Sequence, residues 1–228
     1  MNDKIRHFLI NNVLTSILLN MTNINKIKNI IFDLGGVIMN LDVSKTIKSF
    51  ENIGITDIVN KTGHHYKDSV FYDFEIGKVS EIGFIERLLG MSNLTILNKD
   101  IKEAWNAMIL EMPKERIELL LDLKKEYRIF LLSNTNSIHQ EKFLTEFKNE
   151  YSFDFSELFE KTYYSHEIGM RKPDEKTFKY VLKDSNLNPC KTLFVDDAID
   201  NVKIAQKVGI KTFHIKNYNV LDITYIIE

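Results

Sequence analysis

The sequence predicts an α/β fold, a doubly wound (Rossmann-like) parallel sheet core with an inserted α-helical cap domain. Two observations predict this class. Short apolar runs rich in β-branched and aromatic residues alternate with segments of helical periodicity, and strands that alternate with helices form a parallel sheet covered by helices. In addition, about ninety residues of helical character separate the first apolar run from the second, far more than one crossover helix needs.

Four apolar runs are predicted to be buried parallel strands, because each is short and ends at a polar cluster. They are residues 29–32, 128–132, 192–195 and 211–215, and residues 161–165 are a further candidate.

Helices are predicted between the strands. Those at residues 113–126 and 173–183 both begin with a proline, which is favoured in a first helical turn. The helix at residues 199–208 ends before Gly209, a residue type that commonly caps helices.

The inserted cap is predicted to span residues 46–108, so that residues 28–45 and 109–228 form the core domain. Residues 1–27 are predicted to be an N-terminal extension. Asparagines interrupt its apolar stretch, no small-residue cleavage pattern follows, and the stretch is too short to span a bilayer. We therefore expect an amphipathic helix or a frayed extension ahead of the fold.

Composition narrows the class of partner. With 30 basic and 32 acidic residues interspersed along the chain, the formal charge is −2, and no cationic field exists that would gather nucleic acid or anionic lipid. We expect a small-molecule partner, no nucleic acid, no membrane and, by default, a monomer. Cys190 is the only cysteine, so no internal disulfide can form, which agrees with a cytoplasmic location.

Polar side chains follow the predicted strands, at the edge of the sheet where ligands of such folds bind. Asp33 follows the first strand and precedes Gly35 and Gly36, so its carboxylate is exposed for nucleophilic attack and can also hold a metal. The alternative is an acidic turn residue. Ser133 and Asn134 follow the second strand and can donate hydrogen bonds to phosphoryl oxygens, with helix capping as the alternative.

The other two clusters carry charges of both signs. Lys172 precedes Pro173, and a lysine fixed there can neutralise a phosphate and an attacking carboxylate, although an isolated lysine is usually a solvated surface residue. Asp196 and Asp197 directly follow another strand. Two adjacent carboxylates are costly there unless a cation is shared, and oxygen ligands suit Mg²⁺. Capping of the next helix is the alternative.

In this order the four clusters resemble the four motifs of the haloacid dehalogenase-like hydrolases. The resemblance covers residues 28–215 and is carried by FDLG at 32–35, LSNTN at 132–136, GMRKP at 169–173, and DD at 196–197 with Asn201. Within the superfamily these strings are most similar to bacterial phosphatases of α-glucose-1-phosphate and to the N-terminal phosphatase domain of soluble epoxide hydrolase. The resemblance implies a five-stranded core and a Mg²⁺-dependent phosphatase acting on a small phosphorylated metabolite.

The resemblance also implies roles for single residues. Asp33 would attack phosphorus and become transiently phosphorylated. Ser133 and Asn134 would bind the transferring phosphoryl group. Lys172 would hold the nucleophile and the phosphoryl group in place.

For the metal, the resemblance implies Asp33, the backbone carbonyl of Gly35 and Asp197 as ligands. Asp196 would be a water-mediated ligand or would orient the other ligands. The sequence departs from the family at Gly35, where most phosphatases of the superfamily have a second aspartate that protonates the leaving alcohol. Such a group is typically worth about 10²–10⁴-fold in rate. Either a cap residue or a water then supplies the proton, or the chain is a weak or inactive relative.

Five residues of the predicted cap are candidates for substrate contact: Phe71, Tyr72, Glu75, Lys78 and Trp105. Trp105 is also explained as an anchor of the cap's own core. The six histidines lack metal-ligand spacing, and we expect them on the cap surface, on helix surfaces and at a strand edge.

Three other functions stay open. A binding or regulatory protein on an inactive phosphatase scaffold is favoured by Gly35 alone. A metal-free 2-haloacid dehalogenase would have no reason to place Asp196 and Asp197 beside the nucleophile. Phosphoryl transfer of the phosphoglucomutase kind is the third alternative.

Overall fold

The computed structural model of the protein describes residues 27–56, 58, 66, 68–216 and 220. The predicted N-terminal extension, except Ile27, lies outside these residues, and so do His64 and His65. None of the helices in the described part of the chain has both the length and the apolar character that a membrane span requires.

The core is one parallel sheet of five strands in the order β3-β2-β1-β4-β5, which confirms the predicted fold class. The strands are β1 (Asn29–Phe32), β2 (Arg128–Ser133), β3 (Lys161–Tyr164), β4 (Thr192–Asp196) and β5 (Lys211–His214). Each strand lies within one residue of its predicted bounds, because a buried strand stops where the apolar run meets polar residues.

The sheet separates two apolar layers. Along β1, Ile30 and Phe32 point into the larger cluster, which continues into the cap, whereas Ile31 points into the smaller cluster on the other face. Both faces are therefore covered, as expected for a parallel sheet.

Nine helices surround or extend this sheet within the described residues. The core helices are α5 (Lys114–Leu123), α6 (Ser137–Tyr151), α7 (Ser165–Ile168), α8 (Glu175–Asp184) and α9 (Ile199–Lys207). The helices between β1 and β2 that precede α5 are α1 (Val43–Asn52), α2 (Ser69–Glu75), α3 (Glu81–Leu89) and α4 (Asn98–Asn106). Short 3-10 helices lie at Phe155–Leu158 and Pro189–Lys191.

Helices α1 to α4 connect to the core through two antiparallel segments, residues 40–42 and 108–111, which we call the connecting ladder. The Asn40 amide donates to the Glu111 carbonyl at 3.0 Å, and the Asp42 amide donates to the Met108 carbonyl at 3.0 Å. Helix α1 begins at Val43 because the Asp42 side chain accepts a hydrogen bond from the Ser44 amide and so caps the first turn. The predicted boundary at residue 46 falls inside α1, and the division into core and cap stays a prediction.

An aromatic cluster holds these four helices together. Trp105 is 1% exposed, and its ring centroid lies 5.3 Å from that of Phe71, 5.5 Å from Phe84 and 6.0 Å from Phe50. Tilted and edge-on contacts of this kind stabilise beyond the area that they bury. Trp105 therefore anchors the interior of the cap, as the sequence suggested.

Gly77, just after α2, forms a close contact between cap and core. Its φ is +69°, and a β-carbon at this position would overlap the backbone carbonyl oxygen of His166 in α7. Glycine is therefore required both by the backbone conformation and by the close approach of the His166 carbonyl.

Gly77→Ala is expected to lower the free energy of unfolding by at least about 2 kcal/mol, since a left-handed residue costs roughly 1–2 kcal/mol and the overlap adds to it. Urea unfolding measures the loss. Gly209→Ala is the matched control, because Gly209 also has a positive φ (+88°) but only an ordinary 3.6 Å contact with Pro189. Equal losses in the two variants would show that cap and core do not meet at Gly77.

Candidate active site

Lys172 lies at the centre of the polar clusters that follow the strands. It is 1% exposed, and its Nζ atom lies 2.7 Å from Asp33 Oδ1 and 2.8 Å from Asp196 Oδ2. The strand register explains this meeting: Phe32 pairs with Val195, so the residues that follow β1 and β4 emerge side by side. A buried lysine between two carboxylates is held in its charged form, and its pKa is raised by both partners even though burial opposes this.

Asn134 fixes the loop that carries Lys172. Its Nδ2 atom donates to the Lys172 carbonyl at 2.9 Å, and its Oδ1 atom accepts from the Lys172 amide at 2.9 Å. Ser133, at the end of β2, is 3% exposed and lines the adjacent cavity. The structure therefore brings Ser133, Asn134, Lys172 and Asp33 together. Both polar atoms of the Asn134 side chain are already hydrogen-bonded to the backbone of Lys172.

Asp196 is fully buried, and the protein satisfies both of its oxygens. Oδ1 accepts hydrogen bonds from the Ala198 amide at 2.7 Å and from Asn201 at 3.0 Å. Oδ2 accepts from Lys172 at 2.8 Å and also from Asn201 at 3.0 Å. A carboxylate with this many donors is rigidly oriented.

The carboxylates of Asp33, Asp196 and Asp197 converge, with one oxygen of each lying within 4.8 Å of the others. Burial raises the pKa of Asp33 to about 7, although Lys172 opposes the shift. Burial and Asp196 likewise raise the pKa of Asp197. Three carboxylates share a single lysine here, so the acidic groups of this oxygen-rich cluster outnumber its cation, and the cluster fits a divalent cation.

Gly35 lies beside this cluster, and its missing side chain is replaced by a neighbour. A β-carbon on Gly35 would overlap Cδ1 of Leu41. A carbon atom of Leu41 therefore overlaps the β-carbon position of the residue that is an aspartate in most phosphatases of the resembled superfamily.

A cavity of about 140 Å³ adjoins Gly35 and extends under the cap. Its lining comprises Leu34, Gly35, Met39, Leu41, Tyr66, Glu75, Trp105, Met108, Ile109, Ser133, Asn134, Thr135 and His139. Core motif residues thus form one wall of the cavity and cap residues another.

The five cap candidates divide into two groups. Glu75 and Trp105 line the cavity. Phe71 is buried in the aromatic cluster, Lys78 is exposed beside Asp73, and Tyr72 packs under the guanidinium of the core residue Arg171 at 5.3 Å.

His139 corrects one expectation, because it is buried rather than on a helix surface. Its Nε2 atom donates to the Trp105 carbonyl at 3.0 Å, and its Nδ1 atom faces the Asn136 amide nitrogen at 3.2 Å. Burial lowers its pKa to about 4. His139 is therefore neutral and links α6 to the cap. The sequence did not indicate His139 or Tyr66 as cavity residues, because neither belongs to a motif.

Comparison with known protein families identifies the same family as the four sequence motifs. The model of the haloacid dehalogenase-like hydrolases matches residues 27–209. The chain belongs to this family.

Its relatives include phosphatases. The chain is 32% identical over 192 residues to the D-ribitol-5-phosphate phosphatase of Bacteroides thetaiotaomicron, covering 84% of this chain and 93% of the relative. The family predicted from the four motifs is confirmed, and so is the predicted enzyme class, a phosphoric monoester hydrolase. The narrower likeness to α-glucose-1-phosphate phosphatases and to soluble epoxide hydrolase stays a prediction.

Two solved structures are similar over most of the chain. A haloacid dehalogenase family enzyme of Bacteroides thetaiotaomicron, in complex with magnesium and inorganic phosphate, is 36% identical, with a TM-score of 0.76 and coverage of 83% of this chain and 94% of that one. A hydrolase of this family from Porphyromonas gingivalis is 29% identical, with a TM-score of 0.78 and coverage of 89% and 98%. Magnesium, the predicted cofactor, is thus present in a relative.

Proposed function

We propose that the protein is a magnesium-dependent phosphatase that hydrolyses a small phosphorylated polyol or sugar through an aspartyl-phosphate on Asp33. The observation that carries the proposal is the Asp33 carboxylate, held 2.7 Å from the buried Lys172 within a cluster of three carboxylates. The similarity to a D-ribitol-5-phosphate phosphatase supports a polyol phosphate as the substrate class.

In the first step, an Asp33 oxygen forms a bond to phosphorus while the bond from phosphorus to the alcohol oxygen breaks. Lys172 neutralises charge on the nucleophile and on the phosphoryl oxygens. The Ser133 hydroxyl donates a hydrogen bond to one of these oxygens. Asn134 acts mainly by positioning Lys172, since its amide holds both the N–H and the carbonyl of that residue.

Asp33, the Gly35 carbonyl and Asp197 would hold Mg²⁺, with Asp196 orienting Lys172 and the surrounding loop. Of the two roles left open for Asp196, the orienting one is favoured, because four hydrogen bonds already occupy its oxygens. When bound, the cation stabilises negative charge on the transferring phosphoryl group. The predictions of a monomer, of a cytoplasmic location and of no nucleic-acid or membrane partner stay predictions.

Phosphate release tests the function directly. The panel comprises D-ribitol 5-phosphate, glucose-1-phosphate, glyceraldehyde 3-phosphate and p-nitrophenyl phosphate, each with Mg²⁺ or with EDTA. We expect release with Mg²⁺ to exceed release with EDTA by at least about 100-fold, because charge stabilisation by the cation is worth several kcal/mol. The best substrate is expected to be a phosphorylated polyol or sugar.

One observation favours a second candidate function, a binding protein on an inactive scaffold. Gly35 stands where most phosphatases of the family carry an aspartate for proton transfer, and Leu41 Cδ1 overlaps the position of the β-carbon that Gly35 lacks. If no substrate of the panel releases phosphate while Mg²⁺ still binds, as measured by calorimetry, this second candidate replaces the first.

A further inference from the structure

Hydrolysis of an alkyl phosphate requires a proton at the leaving oxygen, and the usual donor is missing here. Gly35 carries no side chain, and Cδ1 of Leu41 overlaps the place where a β-carbon at this position would stand. The cavity that adjoins Gly35 is lined by side chains that are candidates for this role.

Three residues of the cavity lining carry titratable side chains: Tyr66, Glu75 and His139. His139 is unsuitable, because its pKa is lowered to about 4 and the Trp105 carbonyl occupies its N–H. Tyr66 is unsuitable as well, since burial raises the pKa of its hydroxyl well above the usual range. Among the described residues, Glu75 contributes the only carboxyl group to the lining.

We propose that Glu75, contributed by the cap, is the proton donor to the leaving alcohol and takes the place of the aspartate that is absent at Gly35. This inference rests on the proposed phosphatase function and assigns one further catalytic residue to it.

The core holds Glu75 in position through Arg171. Glu75 Oε2 lies 2.5 Å from Arg171 Nη1, and the Glu75 side chain is only 16% exposed. Arg171 Nε in turn donates to the Lys172 carbonyl at 3.2 Å. The loop that positions Lys172 against Asp33 therefore also holds the Glu75 carboxyl group at the cavity.

The surroundings of Glu75 suit proton transfer. Burial raises the pKa of Glu75, and Arg171 reverses only part of this shift. The Oε2 atom is buried and accepts no hydrogen bond of standard geometry, in spite of its short distance to Arg171. A carboxyl group whose pKa is raised in this way is protonated more often near neutral pH than one in water, as a general acid needs to be.

The Glu75 carboxylic acid gives its proton to the alcohol oxygen as the bond from this oxygen to phosphorus breaks and the bond from Asp33 to phosphorus forms. The products are the neutral alcohol, the aspartyl-phosphate and the Glu75 carboxylate. The carboxylate regains a proton when water hydrolyses the aspartyl-phosphate and releases inorganic phosphate.

The test compares kcat/KM of the wild type and Glu75→Gln on three substrates, because kcat/KM reports only steps up to release of the alcohol. D-ribitol 5-phosphate has hydroxyl groups and a poor leaving group, propyl phosphate has a poor leaving group and no hydroxyl group, and p-nitrophenyl phosphate needs no proton donor. We expect kcat/KM to fall at least about 100-fold on both alkyl phosphates and to change less than about threefold on p-nitrophenyl phosphate. Glu75→Asp, which keeps a carboxyl group, is expected to retain more alkyl phosphate activity than Glu75→Gln.

Other outcomes overturn the inference. Equal losses on all three substrates would assign Glu75 a structural role, and a loss on D-ribitol 5-phosphate alone would assign it to recognition of hydroxyl groups. Glu86→Gln, an exposed cap residue on α3, is the control and is expected to behave as the wild type. If the wild type hydrolyses none of the three substrates, the proposed function itself fails. If the wild type is active and Glu75→Gln is equally active, only the role of Glu75 fails.

Discussion

Asp33→Asn is expected to abolish metal-dependent phosphate release, with a fall in kcat/KM of at least about 10⁴-fold. Asparagine keeps the shape and one oxygen of the aspartate, but its neutral amide is a poor nucleophile, so the aspartyl-phosphate cannot form. Phosphate release from the best substrate of the panel measures the loss. Asp122→Asn is the matched control, since Asp122 is an exposed residue paired with Lys125.

The same variant separates lost chemistry from lost folding. Burial raises the pKa of Asp33 to about 7, so the folded protein at pH 8 carries a charge that the unfolded chain accommodates more easily. Asparagine removes this charge, and Lys172 keeps Asp196 as its partner. The melting temperature of Asp33→Asn at pH 8, measured in EDTA, should therefore be no lower than that of the wild type. Residual activity above about 1% of the wild type would mean that another group attacks phosphorus.

Lys172→Met is expected to lower the free energy of unfolding by about 3–5 kcal/mol, the usual cost of leaving a buried charge without its partner. Lys172 is 1% exposed and lies between Asp33 and Asp196, so its loss leaves two buried carboxylates facing each other. The loss is expected to be larger at pH 8 than at pH 5. Without the lysine, both carboxyl groups ionise only at higher pH in the folded protein, and stability then falls as pH rises.

Urea unfolding in EDTA measures this effect against a surface ion pair. Lys125→Met removes the partner of Asp122, and because both side chains are 72% exposed we expect a change of less than about 1 kcal/mol. Adding Asp33→Asn to Lys172→Met removes one of the two unpaired carboxylates and is expected to recover part of the loss. Similar urea midpoints for Lys172→Met and Lys125→Met would contradict the buried charge cluster.

The sheet and the site at its edge could be predicted because both follow from local patterns. A buried parallel strand is a short apolar run, and the residue after it lies at the ligand-binding edge whatever surrounds it. Asp33, Lys172 and Asp196 meet in the structure as the four polar clusters suggested. The roles assigned to them remain proposals for the experiments above.

The contacts that depend on how the cap rests on the core could not be predicted. Two such contacts are the pairing of Glu75 with Arg171 and the packing of Leu41 against Gly35. In each case nothing in the sequence around one residue indicates that the other residue lies beside it. Helical periodicity indicates which face of a helix is buried but not which domain covers it. His139 was misplaced for this reason, since its neighbours read as an ordinary surface helix until α4 of the cap is packed against it.

The connecting ladder brings the two ends of the α1–α4 stretch together. Because residues 40–42 and 108–111 are hydrogen-bonded neighbours, the whole stretch from α1 to α4 starts and ends at one point of the core. A cap from a related hydrolase could be grafted between Asp42 and Met108 without moving the strand ends that carry Asp33 and Lys172. Such a chimera would keep Asp33 and Lys172 of the core, whereas the cavity wall from the inserted stretch, including the proposed proton donor Glu75, would come from the grafted helices.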